Sequence, residues 1–249
     1  MAVLFEETIN GNQYKVTSAG SSIRLFTNGL FHSQFNDRSI LSGAVWDLLF
    51  LPSLLSQTQP SNALILGVGG GAVLRMLRHY FLDCKITGVD IDAVHLDLAR
   101  KYFGVDESYS LVRANALAWV AQNKKRSFDF IIDDVFAGMS GDPKRSIAAT
   151  TQWIEKLESR LNDTGVLVFN FDKLSDLRKV LAESRSSLLA SCFKSAFILS
   201  SKSYENRILA LSKQSVTYEA FTDAINNLPE ARRFGFQAGH TYLIESLKL

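Results

Sequence analysis

A run of glycines follows an apolar segment and has the composition of a ligand-binding loop. Residues 64–66 are Leu-Ile-Leu, and the segment that follows them contains Gly67, Gly69 and Gly71. Glycine has no Cβ, so the backbone of such a loop can approach a ligand at the carboxyl end of a strand. The spacing of Gly67, Gly69 and Ala72 fits the dinucleotide-binding pattern, yet nucleosides attached to pyrophosphate and to methionine both use such loops. The loop therefore predicts a nucleoside ligand without specifying which one.

An acidic residue ends the next predicted strand. Residues 85–89 form that strand, and Asp90 follows them. A carboxylate there can accept hydrogen bonds from both ribose hydroxyls of a nucleoside. The glycine loop and Asp90 together favour an adenosine-type cofactor over an empty structural turn. Asp92 is better interpreted as the cap of the helix that follows.

Two further acids, Asp133 and Asp134, end the predicted strand that begins at residue 128. The carboxyl ends of parallel strands lie at one edge of a sheet, so Asp134 is expected to face the same crevice as the glycine loop. There it could orient a cofactor amine or take a proton from a nucleophile, which makes it the candidate catalytic residue. Surface or capping aspartates are the alternative, and this alternative weighs more for Asp133.

Asn115 is the remaining candidate binding residue, because it follows another predicted strand. Its amide both donates and accepts hydrogen bonds, so it could read the edge of an adenine. It could equally cap the next helix. Both interpretations stay open from the sequence.

Other chemistries find little support. Residues 138–141 are Gly-Met-Ser-Gly, which is not the Gly-x-Ser-x-Gly nucleophile motif, and no Gly-Lys-Ser/Thr phosphate loop occurs. The chain has four histidines, His32, His79, His95 and His240. They lack metal-ligand spacing, so no metal site is expected. Cys84 and Cys192 are far apart in sequence and are expected to be reduced thiols.

The composition is that of a soluble globular protein. The 249 residues are 47% hydrophobic and carry a formal net charge of +2. This charge is far below the basic excess of proteins that bind phosphate backbones, so no nucleic-acid partner is expected. The first residues show neither a basic segment nor a long apolar run. We therefore expect a cytoplasmic protein without a membrane span.

The first 60 residues differ from the rest. Asn28 and Gly29 separate two β-like runs, which is the strongest short-range signal of a hairpin. Residues 40–55 have helical spacing, and a polar linker follows. The sequence predicts an N-terminal β-hairpin region with a linking helix over 1–60 and an α/β domain over 61–249.

From residue 63 onward, short apolar runs alternate with amphipathic segments of helical length. Strands are predicted over 63–66, 85–89, 109–113, 128–133 and 165–170. Helices are predicted over 71–81, 93–103, 116–122, 146–161 and 174–189. This alternation predicts a doubly wound, Rossmann-like α/β sheet. Two late runs, 195–199 and 207–211, indicate an antiparallel edge.

With these motifs in view, the chain resembles the spermidine synthase family and the methyltransferases that share its class I S-adenosylmethionine fold. The matching motifs are the glycine segment 64–75, the acidic segment 88–92 and the hairpin segment 25–32. The resemblance implies that Asp90 holds the ribose, Asn115 lies near the adenine and Asp134 is the active-site aspartate. It also implies S-adenosylmethionine or its decarboxylated form as cofactor, and a homodimer.

The chain departs from the family at the positions expected to recognise a polyamine. Gly70 stands where the glycine motif of spermidine synthases has an aspartate, and His32 stands near the place of a hairpin glutamine. Residues 135–137 are Val-Phe-Ala, where two serines and an aspartate are expected. Leu41 and Gly43 replace a tyrosine and a glutamate. A cationic diamine needs several carboxylates for binding and deprotonation.

These departures favour a methyltransferase whose acceptor, a small molecule or a protein, is unknown, with Asp134 beside the acceptor and the segment 136–143 as a lid. Aminopropyl transfer from decarboxylated S-adenosylmethionine to a diamine is the alternative. A catalytically silent cofactor-binding protein is a further one, and a nicotinamide dehydrogenase is more remote.

Overall fold

The computed structural model describes residues 1–36, 38–137, 143–184, 188–229 and 242–249. A small antiparallel sheet comes first, and a larger mixed sheet follows with helices packed on both of its faces. This arrangement confirms the predicted doubly wound α/β class.

The N-terminal sheet contains β1 (Ala2–Ile9), β2 (Asn12–Ala19), β3 (Ser22–Thr27) and β4 (Leu30–Asn36), paired antiparallel in chain order. Asn28 and Gly29 join β3 to β4 with φ of 51° and 79°. This confirms the predicted hairpin, because such a turn needs positive φ at both positions. Asn10 and Gly11 join β1 to β2 in the same way, and this second hairpin is not among the predicted elements.

The linking helix is shorter than predicted. α1 spans Val45–Phe50, and a 3₁₀ turn continues it over Leu51–Leu55. The carboxyl group of Asp47, in the first turn of α1, accepts hydrogen bonds from the amides of Ser42 (2.9 Å) and Gly43 (2.7 Å), which precede the helix. The chain therefore bends ahead of Val45 instead of extending the helix back to residue 40.

Asp47 also makes stability depend on pH. It is fully buried and accepts a hydrogen bond from the Tyr242 hydroxyl (2.5 Å), and burial raises its pKa to about 6. The folded state thus holds this proton more tightly than the unfolded state, so stabilisation is lost as the pH rises through the raised pKa. As the pH rises from about 4.5 to about 7, the free energy of unfolding of the unaltered chain should fall by about 2 kcal/mol relative to that of Asp47→Asn. Urea unfolding at both pH values measures this, and parallel pH curves for the two proteins would contradict it.

The large sheet has the order β14-β12-β13-β11-β8-β5-β6-β7. Its parallel strands are β5 (Asn62–Leu66), β6 (Lys85–Asp90), β7 (Ser110–Arg113), β8 (Phe128–Asp133) and β11 (Leu161–Phe171). The chain runs outward from β5 through β6 to β7 and then returns to place β8 on the other side of β5. The topological switch point therefore lies between β5 and β8, where open α/β sheets bind their ligands.

An antiparallel edge completes the sheet, as predicted. β12 (Ser195–Ser201) pairs with β13 (Tyr204–Ser212), and β13 pairs with β11. β14 (Leu243–Leu247), which is not among the predicted strands, pairs with β12 at the outer edge. A separate two-stranded ribbon consists of β9 (Phe136–Ala137) and β10 (Lys144–Arg145).

The remaining helices are α2 (Ala72–Tyr80), α3 (Ala93–Tyr102), α4 (Ala116–Gln122), α5 (Thr151–Glu158), α6 (Leu174–Ser184), α7 (Ala190–Cys192) and α8 (Tyr218–Asn226). α5 begins later than the predicted residue 146, because the Thr150 side chain caps it by accepting a hydrogen bond from the Trp153 amide (3.3 Å). Within the described ranges, no helix has both the length and the apolar character needed to cross a membrane.

The N-terminal sheet packs directly on α3. Tyr14, Val16 and Leu25 form one buried cluster with Leu98 and Phe103. Apolar side chains at such a contact exclude water and fix the two elements against each other. The contact places β4 beside the loop that joins β5 to α2.

Candidate functional site

The glycine loop is packed against other parts of the chain. Gly67, Gly69 and Gly71 have positive φ. A Cβ at Gly67 would lie 2.2 Å from the carbonyl oxygen of Asp134, and one at Gly69 would lie 2.8 Å from the carbonyl oxygen of His32. Close approach of the chain's own backbone, from the loop after β8 and from strand β4, therefore requires glycine at Gly67 and Gly69. The predicted approach to a ligand stays a prediction.

Gly70 has no room for a side chain. A Cβ there would lie 2.8 Å from Cβ of Ser33 and 3.1 Å from the Phe103 ring. Ser33 is fully buried, so its side chain cannot move into solvent to make space. The aspartate that spermidine synthases carry at this place could not be accommodated here without a shift of β4.

Asp90 faces the glycine loop rather than solvent. Its side chain is 11% exposed. Oδ2 accepts hydrogen bonds from the amides of Val68 (2.8 Å) and Gly69 (3.1 Å), and Oδ1 accepts one from the amide of Asp92 (2.9 Å). A carboxylate offers about four acceptor positions, so about one remains for a ligand hydroxyl. Accepting from both ribose hydroxyls, as the sequence predicts, requires release of a loop amide.

The charged form of Asp90 is favoured despite its burial. Burial on its own raises the pKa, but attraction from His95, with hydrogen bonds from the amides of Asp92 and Val68, outweighs it and lowers the pKa below its ordinary value. Asp90 therefore remains an acceptor over the physiological pH range.

Asp134 lies across the crevice, at the carboxyl end of β8. Its amide donates to the carbonyl of Leu66 (2.8 Å), and its Oδ1 accepts a hydrogen bond from the Asn170 side chain (2.7 Å). Burial raises the pKa to about 7, against the lowering effect of the bond from Asn170. A carboxyl group with this pKa exchanges protons readily near neutral pH, as a general base must.

The orientation of Asp134 depends on two residues that the sequence analysis leaves out. Asn170, on β11, receives a hydrogen bond at its Oδ1 from the side chain of Asn206 on β13 (2.9 Å). Asn170 is 5% exposed and interrupts an apolar strand. A buried amide in such a strand needs polar partners, so an asparagine within this apolar run was the sequence signal that could have identified Asn170.

Asp133 is neither a surface residue nor a helix cap, because its carboxyl group is buried and paired with other side chains. It is fully buried and accepts hydrogen bonds at Oδ2 from Arg145 (2.8 Å) and from the indole of Trp153 (2.6 Å). Arg145 also donates to the carbonyl of Asn170. The pair therefore ties β10 and α5 to the strand that carries Asp134.

Asn115 and Asp92 are helix caps. The Asn115 side chain accepts a hydrogen bond from the Ala118 amide (3.2 Å) at the start of α4, which confirms the capping role, and adenine recognition stays a prediction. Asp92 caps α3 by accepting from the amides of Val94 (2.9 Å) and His95 (3.4 Å), which confirms its predicted role. The predicted lid includes residues 138–142, which lie outside the described residues.

Two of the histidines lie together beside Asp90. The rings of His32 and His95 have centroids 4.8 Å apart. Burial, followed by the influence of His95, lowers the pKa of His32 to about 4, so it is neutral at physiological pH. His95 was not predicted to lie near the site, although it follows Asp90 by five residues and lies in the first turn of α3; its partner Thr27 comes from the distant N-terminal sheet.

The residues of the crevice fit an adenosyl nucleoside. The loop after β5 is a backbone turn held close to β4 and to the segment after β8, and the inward-facing Asp90 keeps an acceptor position for a hydroxyl. Asp134 supplies a titrating carboxyl group on the opposite side. A doubly wound sheet with these groups at its switch point defines the class of nucleoside-binding α/β proteins.

The chain belongs to the spermine/spermidine synthase domain family, whose model matches residues 48–212. A probable polyamine aminopropyl transferase of Bifidobacterium longum is 30% identical over 185 residues, covering 73% of this chain and 40% of that protein. An eEF1A lysine and N-terminal methyltransferase of Danio rerio is 26% identical over 133 residues, covering 49% of this chain and 19% of that protein. The chain thus spans less than half the length of either relative.

Solved structures agree on the fold. A probable spermidine synthase from Corynebacterium glutamicum superposes with a TM-score of 0.71 at 18% identity, covering 98% of this chain and 89% of that one. The likeness extends over the N-terminal sheet as well as the α/β domain, and it supports the Rossmann-like architecture.

Proposed function

We propose that this chain is an alkyl transferase that moves an aminopropyl group from decarboxylated S-adenosylmethionine to an amine. The observation that carries the proposal is the carboxyl group of Asp134, whose pKa of about 7 suits it to deprotonate an ammonium nucleophile. The family and the Bifidobacterium relative support aminopropyl transfer over methyl transfer. Methyl transfer was the preferred prediction from the sequence.

On this proposal, the two sides of the crevice have different tasks. Asp90 and the loop of Gly67, Gly69 and Gly71 hold the nucleoside of the donor. A sulfonium donor, when bound, supplies an electrophilic carbon attached to a good leaving group. The protein has to align that carbon with the nucleophile and exclude water.

Asp134 then acts on the acceptor. Its Oδ1 is engaged by Asn170, so Oδ2 is the oxygen that takes the proton from the attacking ammonium group. The deprotonated nitrogen attacks the carbon next to sulfur, and the electrons of the broken C–S bond leave with the sulfur. Asn170 keeps the carboxyl group oriented during the transfer.

Methyl transfer from S-adenosylmethionine is the second candidate, and the shortage of acids on the acceptor side favours it. Among the described residues next to Asp134, Asp133 is neutralised by Arg145, and residues 135–137 are apolar. Gly70 has no space for an acid. A diamine carries two positive charges, and burying them without carboxylates is costly.

Product analysis separates the candidates. The chain is incubated with decarboxylated S-adenosylmethionine and putrescine, and in parallel with S-adenosylmethionine and a panel of amines. Spermidine with 5′-methylthioadenosine supports aminopropyl transfer, and a product heavier by one methyl group supports the second candidate. Nucleoside binding without turnover of either donor would support a catalytically silent protein instead.

Calorimetry with 5′-methylthioadenosine tests the donor site. We expect Asp90→Asn to weaken binding about ten-fold or more, because a charged acceptor is lost. Asp97→Asn is the matched control, since Asp97 lies on α3 with its side chain 80% exposed. Equal affinities for the unaltered chain and Asp90→Asn would contradict the donor site.

The resemblance to the family is the basis for proposing a homodimer, and the change of sequence pattern is the basis for proposing a division of the chain near residue 60. Sedimentation of the purified chain measures the first. Limited proteolysis measures the second.

A further inference from the structure

His95 connects the N-terminal sheet to the acid of the donor site. It lies in the first turn of α3 and is 7% exposed. Its Nε2 lies 2.7 Å from the hydroxyl of Thr27 at the end of β3, and its Nδ1 lies 3.9 Å from Oδ2 of Asp90. The imidazole thus stands between an N-terminal strand and the carboxylate that faces the glycine loop.

The contacts of the His95 ring determine which of its nitrogens carries the proton. When the Thr27 hydroxyl donates to Nε2, the ring proton resides on Nδ1 and points toward Asp90. The 3.9 Å separation is longer than a hydrogen bond, so the interaction is an electrostatic one. It acts on Oδ2, the oxygen that already accepts from Val68 and Gly69.

The surrounding contacts hold the ring in place. Tyr14 of β2 meets the imidazole edge-on with centroids 5.8 Å apart, and its hydroxyl donates to Oδ2 of Asp92 (2.7 Å). The ring of His32 covers the imidazole from β4. Three strands of the N-terminal sheet therefore contribute to the position of one side chain on α3.

We propose that His95 is a positioning residue for donor binding, which links Thr27 to Asp90 and makes the affinity for the nucleoside depend on how the N-terminal sheet is docked. The inference rests on the proposed function, in which Asp90 holds the donor. By engaging Oδ2 from one side while the loop amides engage it from the other, His95 leaves Oδ1 as the oxygen for the ligand. Loss of the link lets the carboxylate rotate away from the loop.

Calorimetry of the full chain with 5′-methylthioadenosine and with S-adenosylhomocysteine tests this role. We expect His95→Gln to weaken nucleoside binding about ten-fold and Thr27→Val to weaken it about three-fold. Because both changes break the same link, the double variant should bind no more weakly than His95→Gln alone. In turnover assays, the KM for the donor should rise while the KM for the acceptor stays unchanged.

Thr17→Val is the matched control, because Thr17 is a buried threonine of the same sheet whose hydroxyl has no hydrogen-bond partner. It should leave nucleoside affinity unaltered. His79→Gln, on the exposed end of α2, controls for the loss of a histidine elsewhere.

The outcomes are distinct. If Thr27→Val and His95→Gln lower the melting temperature but keep the nucleoside affinity, His95 is only structural and the proposal fails. If His95→Gln does not fold, Thr27→Val against Thr17→Val decides the question alone. If the unaltered chain binds neither nucleoside, the proposed function and this inference are both wrong. If the unaltered chain, Thr27→Val and His95→Gln bind the nucleoside equally well, only the inference is wrong.

Discussion

Asp134→Asn is expected to lower kcat by about 10²–10⁴-fold while the affinity for the donor nucleoside changes little. Asparagine keeps the shape of the side chain and can still accept the hydrogen bond from Asn170 through its amide oxygen. It cannot take a proton from the acceptor. Steady-state turnover and calorimetry on the same preparation measure the two quantities.

The pH profile provides a second readout of the same change. The pKa of Asp134 is raised to about 7, so the base is protonated below that pH and the rate should increase as the pH rises through it. This acidic limb should be missing in Asp134→Asn. Asp163→Asn, a surface acid with its side chain 88% exposed, should retain it. Unchanged turnover in Asp134→Asn, or an equal loss of nucleoside binding, would refute the assignment of Asp134 as base.

Gly67→Ala is expected to damage both stability and donor binding. The new Cβ would be placed 2.2 Å from the Asp134 carbonyl oxygen at a φ of 89°, so the loop and the end of β8 must separate. We expect a loss of more than about 3 kcal/mol in free energy of unfolding, combining backbone strain with the overlap. On the proposed function, displacement of the loop should also weaken donor binding by about ten-fold or more.

Gly11→Ala separates strain from overlap. Gly11 has a similar φ of 81°, and nothing lies within 4 Å of the position that a Cβ would take. It should lose only about 1–2 kcal/mol and bind the nucleoside normally. Urea unfolding and calorimetry of both variants make the comparison. Equal effects of the two substitutions would show that the approach of Asp134 to Gly67 has no special role.

Local signals predicted the fold well. Periodicity placed the strand that ends at Asp133 and the helix over 116–122 at their observed bounds, and the Asn28-Gly29 pair identified a hairpin. The cap role of Asp92 also followed from its position before an amphipathic run. These features depend on residues that are neighbours in sequence, so one sequence suffices to predict them.

The site was predicted only in part, because its second set of contacts comes from distant segments. Asn170 reaches Asp134 from 36 residues away, and Thr27 reaches His95 from 68 residues away. No local pattern encodes such pairs. Asn115 shows a different difficulty, because a local pattern existed but fitted both a helix cap and a ligand-binding residue.

The reaction was the least accessible part. Missing acids favoured methyl transfer in the sequence, whereas the relatives favour aminopropyl transfer. The structure keeps this difference open, because Asp133, a potential second acid, is paired with Arg145 and so adds to the shortage of free carboxylates.

The short ribbon of β9 and β10 has a consequence for how such enzymes diversify. Arg145 is fixed by Asp133 and lies against the rings of Phe136 and Phe171, so both ends of the intervening segment are clamped to the sheet independently of its own residues. Exchanges between Ala137 and Lys144 should therefore leave Asp134 in place. On the proposed function, we expect grafting of this segment to alter acceptor preference without removing the base.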